Sequence, residues 1–275
     1  MANQGTAEPQ QGEYKGATGY VQPQSGVGPS GYTTLPSHPA NYDEEAAQEA
    51  GYMAGFQDKA VRQGFTRKVL GIVATQLIVT MLFSIAFYYS APLKGFVQTQ
   101  MWPFWAAWGL SLATTLVITC SPTARRSYPQ NVIWLSIFTL TYGFLVGVIT
   151  SFADREALVS AFVITAAVVG FVATLAFATD IDFTKFGGIL AIVTWAFLVG
   201  IIIAAFWHTR IVYLVISVIG AIIFSLYLLY DLQMLMGGKT QELSPDEYIF
   251  ASMTIYLDVI QIFLNILQAL QASDN

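Results

Sequence analysis

The amino-acid sequence predicts an all-α membrane protein, a seven-transmembrane helical bundle that follows a disordered N-terminal tail. Only 11% of its 275 residues are charged and 55% are hydrophobic, whereas a soluble domain carries about 25% charged residues on its water-facing surface. After Arg67, seven apolar stretches each reach the roughly 17–25 residues that cross about 30 Å of hydrocarbon. Lipid must therefore cover most of this chain.

The N-terminal part of the chain is polar, being rich in Gln, Gly, Pro, Tyr, Ser and Glu without apolar periodicity. Such a segment buries too little apolar surface to offset its conformational entropy, so we expect it to be disordered. The first ten residues, MANQGTAEPQ, are also polar, and we expect no cleaved signal peptide. The predicted organisation is a tail over 1–62 and a seven-helix transmembrane domain over 63–272.

The seven apolar stretches are predicted to be helices, because lipid offers no hydrogen bonds to an exposed backbone. The connections between them are short, so neighbouring spans should run antiparallel and pack as a bundle. The predicted spans lie near 69–90, 103–120, 132–151, 157–179, 187–206, 211–236 and 248–271.

The Lys and Arg residues near the span ends predict the orientation. Because cytoplasmic loops carry the excess of positive charge, we expect the N-terminus in the cytoplasm and the C-terminus on the other side. The tail side holds eight of these residues: Lys59, Arg62, Arg67, Lys68, Arg125, Arg126, Lys185 and Lys239. The opposite side holds Lys94, Arg155 and Arg210.

Residue counts argue against several function classes. Seven of the 17 acidic residues precede residue 60, so the net charge of −5 belongs mostly to the tail. The sequence has no basic stripe with interleaved aromatic residues, the pattern that indicates nucleic-acid binding, so we do not expect that function. Cys120 is the single cysteine, and His38 and His208 are the only histidines, which leaves little material for a thiolate metal cluster or Ser-His catalysis. We therefore predict a protein that is not an enzyme and holds no resident cofactor.

A polar stripe follows the last apolar stretch. Thr254, Asp258, Gln261 and Asn265 are spaced by four, three and four residues, so they share one face of a helix. A charged Asp near mid-membrane costs about 2.5–3.5 kcal/mol, which marks it as a functional candidate. The stripe predicts a hydrated ion pathway inside the bundle, and the alternative is interhelical hydrogen bonding that serves packing alone.

A second acid, Asp231, lies near the cytoplasmic end of the sixth span. If it meets Asp258, the two carboxyl groups should share a proton, titrate as a unit and serve as a pH sensor. The deprotonated pair offers the carboxylate oxygens that Ca²⁺ prefers. With Pro245 in the first turn of the last helix, helix lengths place the two acids about 10 Å apart in depth, so contact needs tilt, a shortened last helix or a re-entrant loop. Arg125 and Arg126 are possible counter-charges, or positive anchors at the membrane surface.

Three segments of the chain resemble one family. The segment YDLQMLMGGKTQELSPDEYIFASMTIYLDVIQIFLNIL resembles the C-terminal signature of the Bax inhibitor-1 and Lifeguard (transmembrane Bax inhibitor motif) family. FTRKVLGIVATQLIVT resembles the first span of the family, and ATDIDFTKFGG resembles the Lifeguard segment after the fourth span. The likeness covers about 63–270. The tail, rich in Pro, Gly and Tyr, is also typical of the Lifeguard branch.

The resemblance implies a central last helix and a pH-sensitive Ca²⁺ leak with a cytoprotective role in cell death. By position, Asp231 and Asp258 match the proton-sensing aspartate pair of the family. The expected location is the endoplasmic reticulum, Golgi or vacuolar membrane, and cell-death regulators are possible partners of the tail. The C-terminal QASDN lacks the basic cluster of some Bax inhibitor-1 members, so a function that depends on that cluster is not expected.

Two other function classes stay open at this point. An intramembrane aspartyl protease also carries an aspartate in each of two consecutive spans. However, Tyr256 and Leu257 precede Asp258 where such proteases have Gly-x-Gly, and no Pro-Ala-Leu follows. The other class is a membrane-anchored interaction protein that regulates cell death without transport, whose activity would survive Asp258→Asn.

Overall fold

The computed structural model describes residues 41–207 and 209–273, with side chains from Asp58 onward. His208 and the predicted tail up to residue 40 lie outside the described residues. The helices are α1 (Asn41–Tyr89), α2 (Ala91–Thr99), α3 (Trp102–Cys120), α4 (Pro122–Arg126), α5 (Gln130–Ser151), α6 (Arg155–Ala178), α7 (Gly187–Ala204), α8 (Arg210–Met236) and α9 (Tyr248–Ser273).

Within residues 41–207 and 209–273, seven helices are long and apolar enough to cross a membrane. They are α1 from Asp58 onward, α3, α5, α6, α7, α8 and α9, the spans of α7 and α9 beginning in the short 3-10 helices Phe183–Phe186 and Pro245–Glu247. The prediction of seven transmembrane helices is confirmed. The short helices α2 and α4 lie in segments that the sequence analysis treated as loops.

The first helix begins earlier than expected. α1 starts at Asn41, so residues 41–62, predicted as part of a disordered tail, are helical. This stretch contains many Ala, Glu and Gln residues, which are strong helix formers. It runs without a break into the first apolar stretch, and extending an existing helix is easier than starting one. The chain divides after Ala50 into two units, and the membrane-spanning segments belong to the second.

The last helix occupies the centre of the bundle, as the resemblance implied. The most apolar 18-residue stretch of the α9 span is 67% buried inside the bundle, whereas that of the α7 span is 6% buried. α9 packs against α3, α5, α6 and α8. Among its fully buried side chains are Ile249, Met253, Tyr256, Ile262 and Leu267.

Loops between alternate spans meet at one surface, which we call the tail-side face. It comprises the start of the first span and the segments 121–129, 179–186 and 237–247. Arg62 pairs with Glu242 at 2.9 Å and donates to the Leu243 carbonyl at 2.6 Å. Lys239 donates to the carbonyl groups of Thr179 and Asp180 at 3.3 and 3.0 Å. These contacts fit the antiparallel arrangement that the short connections predicted.

Candidate functional site

The loop between α8 and α9 brings the two predicted site helices into register. Gly237 and Gly238 have φ of 70° and 74°, a conformation that other residues rarely adopt. They turn the chain back along α8, so that the Leu243 amide donates to the Met234 carbonyl at 3.1 Å. The 3-10 helix Pro245–Glu247 follows, and α9 begins at Tyr248. The loop therefore returns by about one turn before the last helix starts.

This geometry reduces the depth difference that the sequence predicted between the two acids. Asp231 lies about 7.5 Å before the end of α8, and Thr254 lies about 9 Å after the start of α9, at 1.5 Å per residue. The Thr254 side chain is accordingly near the Asp231 carboxylate, and its hydroxyl donates to the Ala251 carbonyl at 3.3 Å. Asp258 lies one turn deeper on α9. A last helix that starts later than predicted and a loop that folds back along α8 both reduce the difference in depth between the two acids.

The structure brings Asp231 and Asp258 together inside the bundle. Each residue is 7% exposed, and the two carboxyl groups are close enough to interact electrostatically. Asp258 Oδ2 is buried and has no hydrogen-bond partner among the described residues. A buried carboxylate without a partner is costly, so this atom must carry a proton or face a cation or water. The carboxyl group of Asp258 does not point to the acyl chains.

The remaining stripe residues of α9 also face the interior. Gln261 Nε2 donates to the Tyr142 hydroxyl of α5 at 2.9 Å, and Asn265 Nδ2 donates to the Gln261 carbonyl at 2.7 Å. Gln261 and Asn265 line a cavity of about 450 Å³. Polar side chains and open space therefore lie beyond Asp258, toward the C-terminal end of α9, while neither aspartate lines this cavity. Their role as pathway lining stays a prediction.

Arg125 and Arg126 are placed differently from the predicted counter-charges. Both guanidinium groups pair with Glu247, at 2.9 and 2.6 Å, and not with Asp231 or Asp258. Glu247 lies at the tail-side face, directly before α9, where the segment that contains α4 also lies. The aspartates lie deeper in the bundle, out of reach of these surface side chains. The contacts support anchoring of the last helix by the two arginines.

Asp231 and Asp258 were also predicted to bind Ca²⁺, which takes six to eight oxygen ligands. Within the described part of the chain, no group of three or more His, Cys, Asp or Glu side chains could hold a metal ion. Two carboxylates would therefore share the ion with hydroxyl, carbonyl or water oxygens. Thr254 supplies one such hydroxyl. This arrangement suits transient passage of a cation better than tight storage.

The family model described as inhibitor of apoptosis-promoting Bax1 matches residues 62–275, which include both aspartates and all seven spans except the first four residues of the first one. The chain belongs to the Bax inhibitor-1 and Lifeguard family. The resemblance stated from the sequence is confirmed, and the family is one of anti-apoptotic membrane proteins.

Named relatives support this membership of the Bax inhibitor-1 and Lifeguard family. Human protein lifeguard 3 is 32% identical over 264 residues, which cover 94% of this chain and 85% of that protein. Mouse protein lifeguard 3 is 32% identical over 98% of this chain and 87% of its own length. The Golgi anti-apoptotic protein of vaccinia virus (strain Lister) is 30% identical over 78% of this chain and 87% of its own length.

This family member also contains buried polar contacts that the sequence analysis did not predict. Tyr256 and Thr80 share a hydrogen bond of 2.6 Å between α9 and α1. Gln76 donates to Thr139 at 2.9 Å, joining α1 to α5. Polar residues inside apolar stretches were the available signal. Their partners lie on distant spans, so only the packed bundle reveals them.

A third polar cluster joins two loops on the tail-side face. Asp182 accepts hydrogen bonds from the hydroxyl groups of Thr184 and Thr240, both at 2.5 Å, and from their amides. These bonds hold the pKa of Asp182 well below its usual range, and the bond from the Thr184 hydroxyl has the largest effect. Gln233 of α8 supports the same loop by accepting from the Phe183 amide and donating to the Ile181 carbonyl. The segment before α7 is thus attached to α8 and to the α8–α9 loop.

Proposed function

We propose that this protein is a pH-sensitive calcium leak channel of intracellular membranes with a cytoprotective, anti-apoptotic role. The observation that supports the proposal most strongly is the burial of Asp231 and Asp258 on α8 and α9, two helices that pack against each other, with one oxygen of Asp258 unpartnered. Packing alone does not account for a carboxylate in this position, because an interhelical amide or hydroxyl would serve at lower cost.

The pair supplies both parts of a gate. Two carboxyl groups that interact inside the bundle hinder each other's ionisation, so they exchange protons as a unit. Ca²⁺ competes with protons for the same oxygens, since hard cations bind carboxylate oxygens and acid removes them as ligands. Occupancy of the pair, and with it the leak, then depends on pH. Thr254, Gln261 and Asn265 continue the polar lining along α9.

Ca²⁺ release from reconstituted liposomes tests the gate. We expect purified protein to leak Ca²⁺ at a rate that changes with pH, and Asp231→Asn and Asp258→Asn each to flatten that change, because the amide cannot titrate. Asp246→Asn is the matched control, since Asp246 lies on the exposed loop before α9. A leak that keeps its pH dependence in both pair variants would contradict the gating role.

The cellular part of the proposal concerns location and orientation. The name of the viral relative, Golgi anti-apoptotic protein, and the family's anti-apoptotic character support an intracellular membrane and a role in cell survival. The excess of Lys and Arg on the tail side supports a cytoplasmic N-terminus, available to cell-death regulators. Protease protection of an N-terminal tag in isolated organelles should show a cleavable tag. A tag protected from the protease would mean that the N-terminus does not face the cytoplasm, the opposite of the proposed orientation.

A further inference from the structure

Two cavities lie on opposite sides of α9. One, of about 420 Å³, lies between α3, α5 and α9. The other, of about 450 Å³, lies between α7, α8 and α9. Gln261 and Leu264 line both of them. At about 30 Å³ per water molecule, each cavity has room for on the order of ten waters.

Both cavities belong to the half of the bundle away from the tail-side face. The first reaches Phe104 near the start of α3 and Ile149 near the end of α5. The second reaches Ala205 and Tyr213, on either side of the α7–α8 connection. These helix ends alternate with the tail-side ends along the chain. A solute in either cavity would therefore come from the opposite side of the membrane.

The cavities carry enough polar groups to retain water. Apolar cavities stay dry, whereas water needs two to four polar partners. Hydroxyl and amide groups line both spaces: Ser111, Thr115 and Tyr142 in the first, and Thr194, Tyr213, Asn265 and Gln268 in the second, with Gln261 common to the two.

Gln261 is the residue common to both cavities that lies nearest Asp258 along α9. It follows Asp258 by three residues, about 4.5 Å along the helix axis. Its side-chain amide is held by the Tyr142 hydroxyl at 2.9 Å, and its carbonyl by Asn265 at 2.7 Å. This amide is the polar group shared by both cavities, and it lies within one helical turn of Asp258 with its unpartnered oxygen.

We propose that the Gln261–Tyr142 hydrogen bond closes the route by which water and hydrated cations from the opposite side reach Asp258. The inference rests on the proposed function and adds a second gate to it, distinct from the aspartate pair. When the bond from Gln261 Nε2 opens, the side chain can rotate and turn its amide oxygen, a kind of neutral oxygen ligand that Ca²⁺ accepts, toward the passing ion. Gln261 is then a positioning residue for the passing ion.

Thiol labelling tests the gate without measuring transport. In a Cys120→Ser background, Asp258→Cys reports access, and a small, charged, membrane-impermeant thiosulfonate is applied to sealed vesicles from either side. Phe206→Cys and Tyr128→Cys, both on exposed loops, identify the two sides. We expect Asp258→Cys to react from the side that labels Phe206→Cys. Tyr142→Phe should accelerate this reaction on the order of 2- to 10-fold, the range that one net hydrogen bond supports.

Two further variants make the result decisive. Tyr256→Phe removes a comparable buried hydroxyl contact of α9, that with Thr80, but lines neither cavity, and it should leave the rate unchanged. Gln261→Ala removes the other partner of the same bond and should likewise accelerate labelling. Equal rates in the presence and absence of Tyr142→Phe, or equal acceleration by Tyr256→Phe, would overturn the proposal.

Failure of the channel itself gives a different result. If the protein does not conduct Ca²⁺, liposomes show no leak with any variant, while the accelerated labelling by Tyr142→Phe persists. If the protein conducts and Gln261–Tyr142 is the gate, Tyr142→Phe raises the leak by a similar factor and the response to pH remains. A leak that is insensitive to Tyr142→Phe, together with unchanged labelling, would contradict the Gln261–Tyr142 gate but leave the proposed channel function intact.

Discussion

Helices α7 and α9 show opposite relations between composition and burial. The most apolar 18-residue stretch of the α7 span has a mean hydropathy of 2.5 and is 6% buried. The corresponding stretch of the α9 span has a mean hydropathy of 1.7 and is 67% buried. In water the more apolar helix would be the inner one. In lipid, apolar side chains are stable at the surface, and polar groups seek partners inside the bundle. The less hydrophobic helix is therefore central, and it carries the site.

The largest expected effect comes from a truncation at the centre. Leu267→Ala on α9, where the side chain is 1% exposed, should destabilise the protein by about 2–5 kcal/mol, because a cavity remains. Leu198→Ala on α7, where the side chain is 44% exposed, should cost much less, since lipid or detergent fills the space. Thermal unfolding of both variants in one detergent measures the difference. Equal losses would mean that α7 is packed as tightly as α9.

A smaller loss is expected at the tail-side start of α9. Glu247→Gln removes the carboxylate that pairs with Arg125 and Arg126, and should destabilise by about 1.5–3 kcal/mol. The control is Glu242→Gln, whose half-exposed pair with Arg62 contributes about 0–1 kcal/mol. Melting temperatures at low salt decide between them. If the two variants melt together, Glu247 does not anchor the central helix.

The smallest effect concerns the attachment of α7. Asp182→Asn weakens the bonds to Thr184 and Thr240, so it should lower the melting temperature slightly at pH 7. Because the pKa of Asp182 is depressed in the folded state, its contribution is present above the ordinary pKa of about 3.9 and is lost as pH falls below it. The wild-type and variant melting curves should therefore converge in acid. A constant difference down to pH 3 would contradict this origin.

The sequence alone predicted the features that depend on local composition. The seven spans followed from segment length and hydropathy, and the interior face of Thr254, Asp258, Gln261 and Asn265 followed from helical spacing. The central place of α9 came from the family resemblance. Helix formation before residue 62 was missed because the polar composition outweighed the Ala and Glu content of 41–57.

Features that depend on which helices touch were beyond the sequence. The Tyr142 partner of Gln261 lies 119 residues away, and the partner of Arg125 and Arg126 is Glu247, not an aspartate of the site. The predicted depth difference between Asp231 and Asp258 assumed a last helix that begins at Pro245. The turn at Gly237 and Gly238, and the 3-10 helix after it, change that starting point. Both cavities likewise exist only between packed helices.

Because the segment after α8 folds back, the number of residues between the two acids fixes how their side chains face each other. Twenty-seven positions separate Asp231 from Asp258, and one residue gained or lost within α9 ahead of Asp258 would swing its side chain by about 100° and slide it by about 1.5 Å. Substitutions at the tip of this segment are thus easier to accommodate than changes in its residue count. Natural variants with an altered count are expected to need a compensating bulge before the carboxylates can face each other.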